Sequence, residues 1–257
     1  MLKKRILGVV TIKNGWAVQS TGYKQYLPLG RPEFLVENLD RWGADEILIQ
    51  CIDRSRQKLG PDYGVLALVA ERSISTPLIY AGGIRNLKDA VRVVNMGADR
   101  VSIDSMLWHS PQEIESISGS LGVQALIANM PVCCKSKSLY WRNYISNQEL
   151  KLDESTLSGL PLNCFSEVML TDWKNEGQLR SFDSSIPLLF PMPDKQLVLF
   201  GGLSQPAQIQ NALLNPNVAA AGIGNFLSYR EHAIQAIKKR ITDIPTRPAY
   251  YAEEDLK

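Results

Sequence analysis

A stretch beginning at Leu78, LIYAGGIRNLKDAVRVVNMGADRVSIDSMLWHSPQEIESI, returns in outline at Leu197 as LVLFGGLSQPAQIQNALLNPNVAAAGIGNFLSYREHAIQAI. Each copy runs through an apolar strand, a Gly-Gly pair, an amphipathic stretch, a second short strand, a polar turn and a second helix. Gly82 and Gly83 answer Gly201 and Gly202, and Ile103-Asp104-Ser105 answers Ile223-Gly224-Asn225. EILIQCIDRSR from Glu46 answers EVMLTDWKNEG from Glu167. The offset is about 120 residues, too long for a solenoid period and close to half the chain. Two similar halves of alternating strand and helix predict a closed parallel sheet with helices outside it.

Eight strands follow from the pattern. The first half supplies 5–10, 46–50, 78–80 and 100–103; the second supplies 124–129, 167–170, 197–200 and 219–223. Helical patterns cover 32–42, 64–72, 87–96 and 111–117, the last opened by Ser110 as N-cap, Pro111 at the first helical position and Glu113 at the third. The expected architecture is therefore an α/β fold, a single (β/α)8 TIM barrel over residues 1–257, with half-barrels at about 1–120 and 121–250. Segment 138–152 is too polar and too β-like for a crossover helix and reads as a hairpin insert after strand five.

Composition narrows the function classes. The formal charge is +2, so bulk electrostatics suggest neither nucleic acid nor a membrane surface as partner. The apolar run in MLKKRILGVV is too short for a signal peptide and reads as the first strand, and no run approaches a membrane span. The four cysteines, Cys51, Cys133, Cys134 and Cys164, form no C-x-x-C pair, which fits reduced thiols and a cytoplasmic compartment. With only His109 and His232 present, a histidine-rich metal site is not expected, and no cofactor is called for. The five tryptophans are scattered, His109 is read as structural, and the tail 252–257 as frayed.

In a barrel of this kind chemistry sits where strands end. Glycine after a strand lets backbone N–H groups approach an anion closely. Gly82, Gly83 and Ser105 in one half, and Gly201, Gly202, Gly224 and Asn225 in the other, are accordingly the candidate phosphate or anion sites. Lys174, at the end of strand six, is a further candidate ligand for an anion.

Several local motifs carry a family resemblance: Met1-Leu2-Lys3-Lys4-Arg5-Ile6, the Lys13-Asn14-Gly15 turn, Gly30-x-Pro32, Gly43-Ala44-Asp45-Glu46, Ala81-Gly82-Gly83-Ile84, and Gly97 through Ile103. The chain resembles the cyclase subunit family of imidazole glycerol phosphate synthase (HisF-like), most strongly over the first 120 residues. The resemblance implies a top face that closes an imidazole ring with ammonia, made by a glutaminase subunit (HisH-like) docked at the bottom face. It also implies two catalytic aspartates, at positions held here by Thr11 and Pro131, neither of which exchanges a proton near neutral pH. A family lysine corresponds to Gln19, a family aspartate to Cys51, and a phosphate-pocket asparagine to Asp104, whose ionised form would repel phosphate.

The bottom of the barrel keeps what the top has lost. Arg5, Glu46, Arg100 and Glu167 match the family's four-charge ammonia gate, and Asp45 and Asp99 match positions near the glutaminase. Carboxylates that open apolar strands need partners, and two acids with two bases can supply them to one another in a ring. The resemblance thus implies an ammonia-conducting subunit working with a glutaminase and with an ATP-dependent sugar amidotransferase that turns an acetamido sugar into an acetamidino sugar. Two other readings stay open: a working histidine-biosynthesis cyclase with relocated acids at Asp53, Asp104 or Asp172, and a non-catalytic anion-binding scaffold in which the ring only plugs the barrel.

Overall fold

A computed structural model describes residues 3–248; the tail at 252–257 lies outside the described residues. Eight parallel strands pair in a closed circuit. They are β1 (Arg5–Lys13), β4 (Glu46–Cys51), β5 (Leu78–Ala81), β6 (Arg100–Ile103), β7 (Leu126–Lys135), β10 (Glu167–Asp172), β11 (Gln196–Phe200) and β12 (Val218–Ile223). β12 returns to β1 with Arg5 opposite Ala220, and β10 joins β7 with Glu167 opposite Ile127. The sheet is the (β/α)8 TIM barrel that the repeat predicts.

The strands alternate between two cores, as the pleat requires. Leu7, Val9, Leu48, Ile79, Ile127, Met169 and Val198 face inward and fill the barrel. Their neighbours Ile6, Val10, Ile47, Ile49, Val168 and Leu170 face outward and meet the helices. Among these are α1 (Pro32–Arg41), α2 (Tyr63–Ala70), α3 (Leu87–Asn95) and, after the short α4 (Ser105–His109), α5 (Pro111–Leu121); α1, α2, α3 and α5 fall within a few residues of expectation. At α5 one detail differs: Ser110 stands at the cap position with φ −153° and ψ 56°, and its hydroxyl makes no cap hydrogen bond.

Strand β7 also departs from the sequence reading. It starts at Leu126 because 123–125 turn as a short 3-10 helix, and it runs on to Lys135. The extension exists because β7 continues into the insert, where β8 (Ser138–Asn143) and β9 (Gln148–Lys151) form an antiparallel hairpin. A second hairpin was not expected. After β1, β2 (Trp16–Thr21) and β3 (Gln25–Gly30) fold back on it through a two-residue turn at Asn14 (φ 51°) and Gly15 (φ 77°). Positive φ at both positions is the type I′ geometry that Asn-Gly favours.

Candidate functional site at the two ends of the barrel

The N-terminal ends of the strands bring together four charged side chains from four strands. Arg5 donates to both carboxylate oxygens of Glu46, at 3.0 and 2.9 Å, and to Glu167. Arg100 Nη1 lies 3.3 Å from Glu46 Oε1 and 2.7 Å from Glu167 Oε2. The four charges therefore close a ring in which every acid touches both bases. Burial works against the charge on Arg5, but Glu46 and Glu167 outweigh it and hold the guanidinium above its ordinary range. Burial pushes the Glu46 carboxyl up, with Arg5 and Arg100 offsetting only part of the rise.

The two arginines are not equivalent. The side-chain hydrogen bonds of Arg5 stay within the ring. Arg100 is also tied outward, donating from Nε to the Gln124 carbonyl at 3.0 Å and from Nη2 to Ser166 Oγ at 2.8 Å. A lysine has one nitrogen and cannot make these contacts together with the ring.

Beside the ring, Asp45 and Asp99 repeat one device. The Asp45 N–H donates to the Ile6 carbonyl and the Ile6 N–H donates to Asp45 Oδ2 at 2.7 Å. The Asp99 N–H likewise donates to the Leu78 carbonyl, and the Leu78 N–H to Asp99 Oδ2 at 2.7 Å. Each aspartate thus aligns the start of a neighbouring strand. They differ in exposure. Asp45 is buried and its second oxygen accepts from Lys238 Nζ at 2.8 Å, whereas Asp99 is exposed. Only Asp99 presents its carboxylate at the surface.

At the opposite end the strands open into a cavity of about 540 Å³. Its floor includes Gln50, Ala81, Ser102, Asn129 and Pro131; its walls include Gly82, Gly83, Asp104, Ser105 and Tyr144. Asp104 Oδ1 accepts from the Tyr144 hydroxyl at 2.9 Å. Burial pushes the Asp104 carboxyl up to about 7, against the lowering effect of the Tyr144 and Ser105 hydrogen bonds. Gly83 donates its N–H to Ser55 Oγ at 3.2 Å. A Cβ on Gly83 would lie 2.6 Å from the Gly60 carbonyl oxygen, with φ at 71°, so close loop packing alone demands glycine there.

The second glycine pair is covered by the chain itself. A Cβ on Gly202 would lie 2.5 Å from Ser181 Oγ. The space near Gly202 and Gly224 is about 20 Å³, room for roughly one water. Asn225 is engaged with the backbone of Ser20, accepting from its N–H at 3.2 Å and donating to its carbonyl at 2.6 Å. Ser20 belongs to the β2–β3 hairpin, which is latched over the barrel mouth by Glu176. That buried carboxylate accepts from Ser20 Oγ at 2.9 Å and from the Tyr23 N–H at 3.1 Å. Burial holds the Glu176 carboxyl above the ordinary range despite these bonds. Tyr23 packs on the inner barrel core and donates to Gln50 Oε1 at 3.3 Å.

The histidine biosynthesis protein family model matches residues 5–233. The chain belongs to that family. It is 27% identical over 241 residues to the imidazole glycerol phosphate synthase subunit HisF of Exiguobacterium sp., covering 93% of each chain. It is 26% identical to the HisF of Methanocaldococcus jannaschii, over 96% of this chain and 99% of the relative. It is 26% identical to that of Pasteurella multocida, over 100% and 99% respectively.

Within this HisF-like frame the remaining sequence-chosen residues fall as follows. Thr11 is buried at the top of β1 and pairs with Gln50 of β4 rather than lining the large cavity. Cys51 lines the cavity, and burial raises its thiol. Gln19 accepts from the Tyr229 hydroxyl at 3.3 Å. Lys174 is exposed, 5.7 Å from the Trp173 ring centroid, and does not line the cavity. Asp53 accepts from the Asn14 N–H at 2.8 Å, and Asp172 accepts from Asn175 and the Asp183 N–H, so both hold loops. Tyr23, Ser102, Tyr144 and Glu176 escaped the sequence reading. Tyr144 was detectable only as one aromatic in a polar insert. Among the described residues no cluster suited to a metal ion occurs, and no helix is long and apolar enough to cross a membrane.

Proposed function

We propose that this HisF-like barrel receives ammonia at its charged ring from a glutaminase subunit and delivers it at the opposite mouth to an acceptor other than the histidine precursor. The observation that carries this reading is the asymmetry of the two ends. Arg5, Glu46, Arg100 and Glu167 are all present and mutually bonded, while Thr11 and Pro131 stand where the family's acid–base groups are expected. Neutral ammonia suits an interior of Leu7, Leu48, Ile79 and Met169, because it sheds less hydration than ammonium would. Passage requires the ring to open, and of its two arginines Arg5 is the one whose side-chain hydrogen bonds all stay within it.

The covered second glycine pair and the Asp104 carboxyl beside the first also speak against an acceptor held by phosphates in both halves. The acceptor chemistry we assign is conversion of an acetamido sugar to an acetamidino sugar by a partner amidotransferase, with ATP activating the amide oxygen as leaving group. On the glutaminase side, Asp99 is the docking candidate, since Asp45 is buried against Lys238.

The deciding experiment supplies the histidine precursor with excess ammonium and no glutaminase. Ammonium bypasses the ring, so only the mouth is tested. We expect turnover lower than that of a working cyclase by several orders of magnitude, at about 10²–10⁴-fold for each missing acid–base group. Turnover at the level of a working cyclase would overturn the reading. It would favour a cyclase whose relocated acid is Asp104, since a carboxyl held up to about 7 is suited to proton exchange near neutral pH.

A further inference from the structure

The mouth cavity is graded from an uncharged floor to a cationic rim. On the floor, Ser102 of β6 is buried and its hydroxyl has no hydrogen-bond partner. Other buried polar atoms also lack a partner, among them Trp141 Nε1 and Gln235 Oε1, but Ser102 is the one on the floor of the cavity, where a ligand group can complete the bonding. Gln50 and Asn129 present side-chain amides beside it, and Asp104 with Tyr144 forms the adjacent wall. At the rim the charges change. Lys24 and Arg56 are exposed, and Arg142 lies with its guanidinium 3.7 Å from the Trp173 ring centroid. Arg56 donates to the Tyr144 carbonyl at 3.0 Å, which ties the insert hairpin to the rim, and Arg142 donates to Asn147 at 3.0 Å within the hairpin.

We propose that this cavity takes a ligand with an uncharged head rich in hydroxyl or amide groups, seated on Ser102 and Asp104, and an anionic tail lying on Lys24, Arg56 and Arg142. Hydroxyls and amides both donate and accept, which matches the mixed donors and acceptors of the floor. A phosphate head would face the Asp104 carboxyl in the wall, whereas a phosphate or carboxylate tail meets three cations in a solvated setting. The head also lies over Ala81, which belongs both to the apolar barrel interior and to the cavity floor. This deepens the ammonia-delivery reading and rests on it for the direction from which ammonia would reach the head.

The test is calorimetric titration of the full chain with N-acetylglucosamine 1-phosphate, N-acetylglucosamine, glucuronate and inorganic phosphate. A ligand joining head and tail is expected to bind about tenfold or more tightly than either fragment, the scale of one hydrogen bond to a charged group. Tighter binding of the phosphosugar makes the tail a phosphate, and tighter binding of glucuronate makes it a carboxylate; both outcomes support the proposal. Replacing Lys24 and Arg56 together by Ala should lower affinity for the joined ligand about tenfold and leave N-acetylglucosamine unchanged. Ser102→Val, checked for native circular dichroism, should weaken every sugar; Asp104→Asn serves as the second variant at the wall if Ser102→Val does not fold.

Two results would overturn the proposal. One is inorganic phosphate binding as tightly as the phosphosugar, and more tightly still in Asp104→Asn. The other is no sugar approaching saturation at about 10 mM. None of these titrations involves ammonia or a glutaminase, so their failure leaves the delivery reading standing, and failure of delivery leaves the titrations interpretable.

Discussion

At the N-terminal ends of the strands, four charged side chains satisfy one another; at the C-terminal ends, a carboxyl, a hydroxyl and two amides face a cavity instead. Both ends place polar groups inside one apolar barrel, and desolvation penalises both. The bottom offsets that penalty by charge pairing, though only in part at Glu46. At the top, Asp104 responds by holding its proton more tightly, and Ser102 is left without a partner. A closed set of partners fits a structural or gating part, and an open set fits a part that awaits a ligand.

The comparison breaks most directly at the ring. Glu46→Ala leaves Arg5 and Arg100 to share Glu167 as their one remaining carboxylate, and should cost about 3–5 kcal/mol in urea unfolding. Replacing the whole ring (Arg5→Met, Glu46→Leu, Arg100→Met, Glu167→Leu) should be nearly neutral for stability, because no charge is left unpaired. The same quadruple variant should lose transfer of glutamine-derived ammonia while keeping use of added ammonium. Unchanged transfer would make the ring a plug and nothing more.

At the mouth the corresponding change is Asp104→Asn. The folded-state pKa of Asp104 is raised from 3.8 to about 7, so the unfolded chain releases this proton first as pH rises. Below the unfolded value the group carries no penalty. Between the two values the wild type should lose stability relative to Asp104→Asn at up to about 1.4 kcal/mol per pH unit, and above about 7 the difference should level off. A flat difference between pH 4 and 8 in paired urea titrations would show that Asp104 titrates normally and that the mouth is less desolvated than its geometry indicates.

The latch between mouth and loop gives a smaller effect. Glu176→Ala removes the acceptor for Ser20 Oγ and the Tyr23 N–H, which should cost about 1–3 kcal/mol. The opening should be local. Amide exchange should rise in β2 and β3 before it rises in β4, and exchange rising equally in all three would mean that the hairpin is not a separable lid.

These contrasts also mark what the sequence could carry. The barrel was legible because alternating strands and helices repeat along the chain and need no long-range knowledge. The ring was legible because a charge that opens an apolar strand is conspicuous, and strand starts in a closed barrel share one rim. Glu176 was not legible: it sits in a loop of ordinary polar residues, and its partners lie 156 and 153 positions away. Tyr144 was hidden in the same way, 40 residues from Asp104 in an insert whose docking no local pattern fixes. The glycine pairs show a second constraint that the sequence does not reveal: Gly83 and Gly202 are each required by an approaching loop.

The smallest expected effect on stability tests the bottom face most sharply. Asp45 and Asp99 make the same reciprocal bond to a neighbouring strand, so they serve as internal controls for each other. Asp45→Ala also strands the buried Lys238 ammonium and should be the more destabilising, at about 3 kcal/mol or more. Asp99→Ala loses one exposed carboxylate bond to the Leu78 N–H and should cost about 1 kcal/mol. If the glutaminase docks here, the order reverses when activity is read. Asp99→Ala should weaken glutaminase activation with the barrel folded, and Asp45→Ala, measured where it remains folded, should not. Equal activation by the two variants would locate the docking surface elsewhere on the barrel bottom.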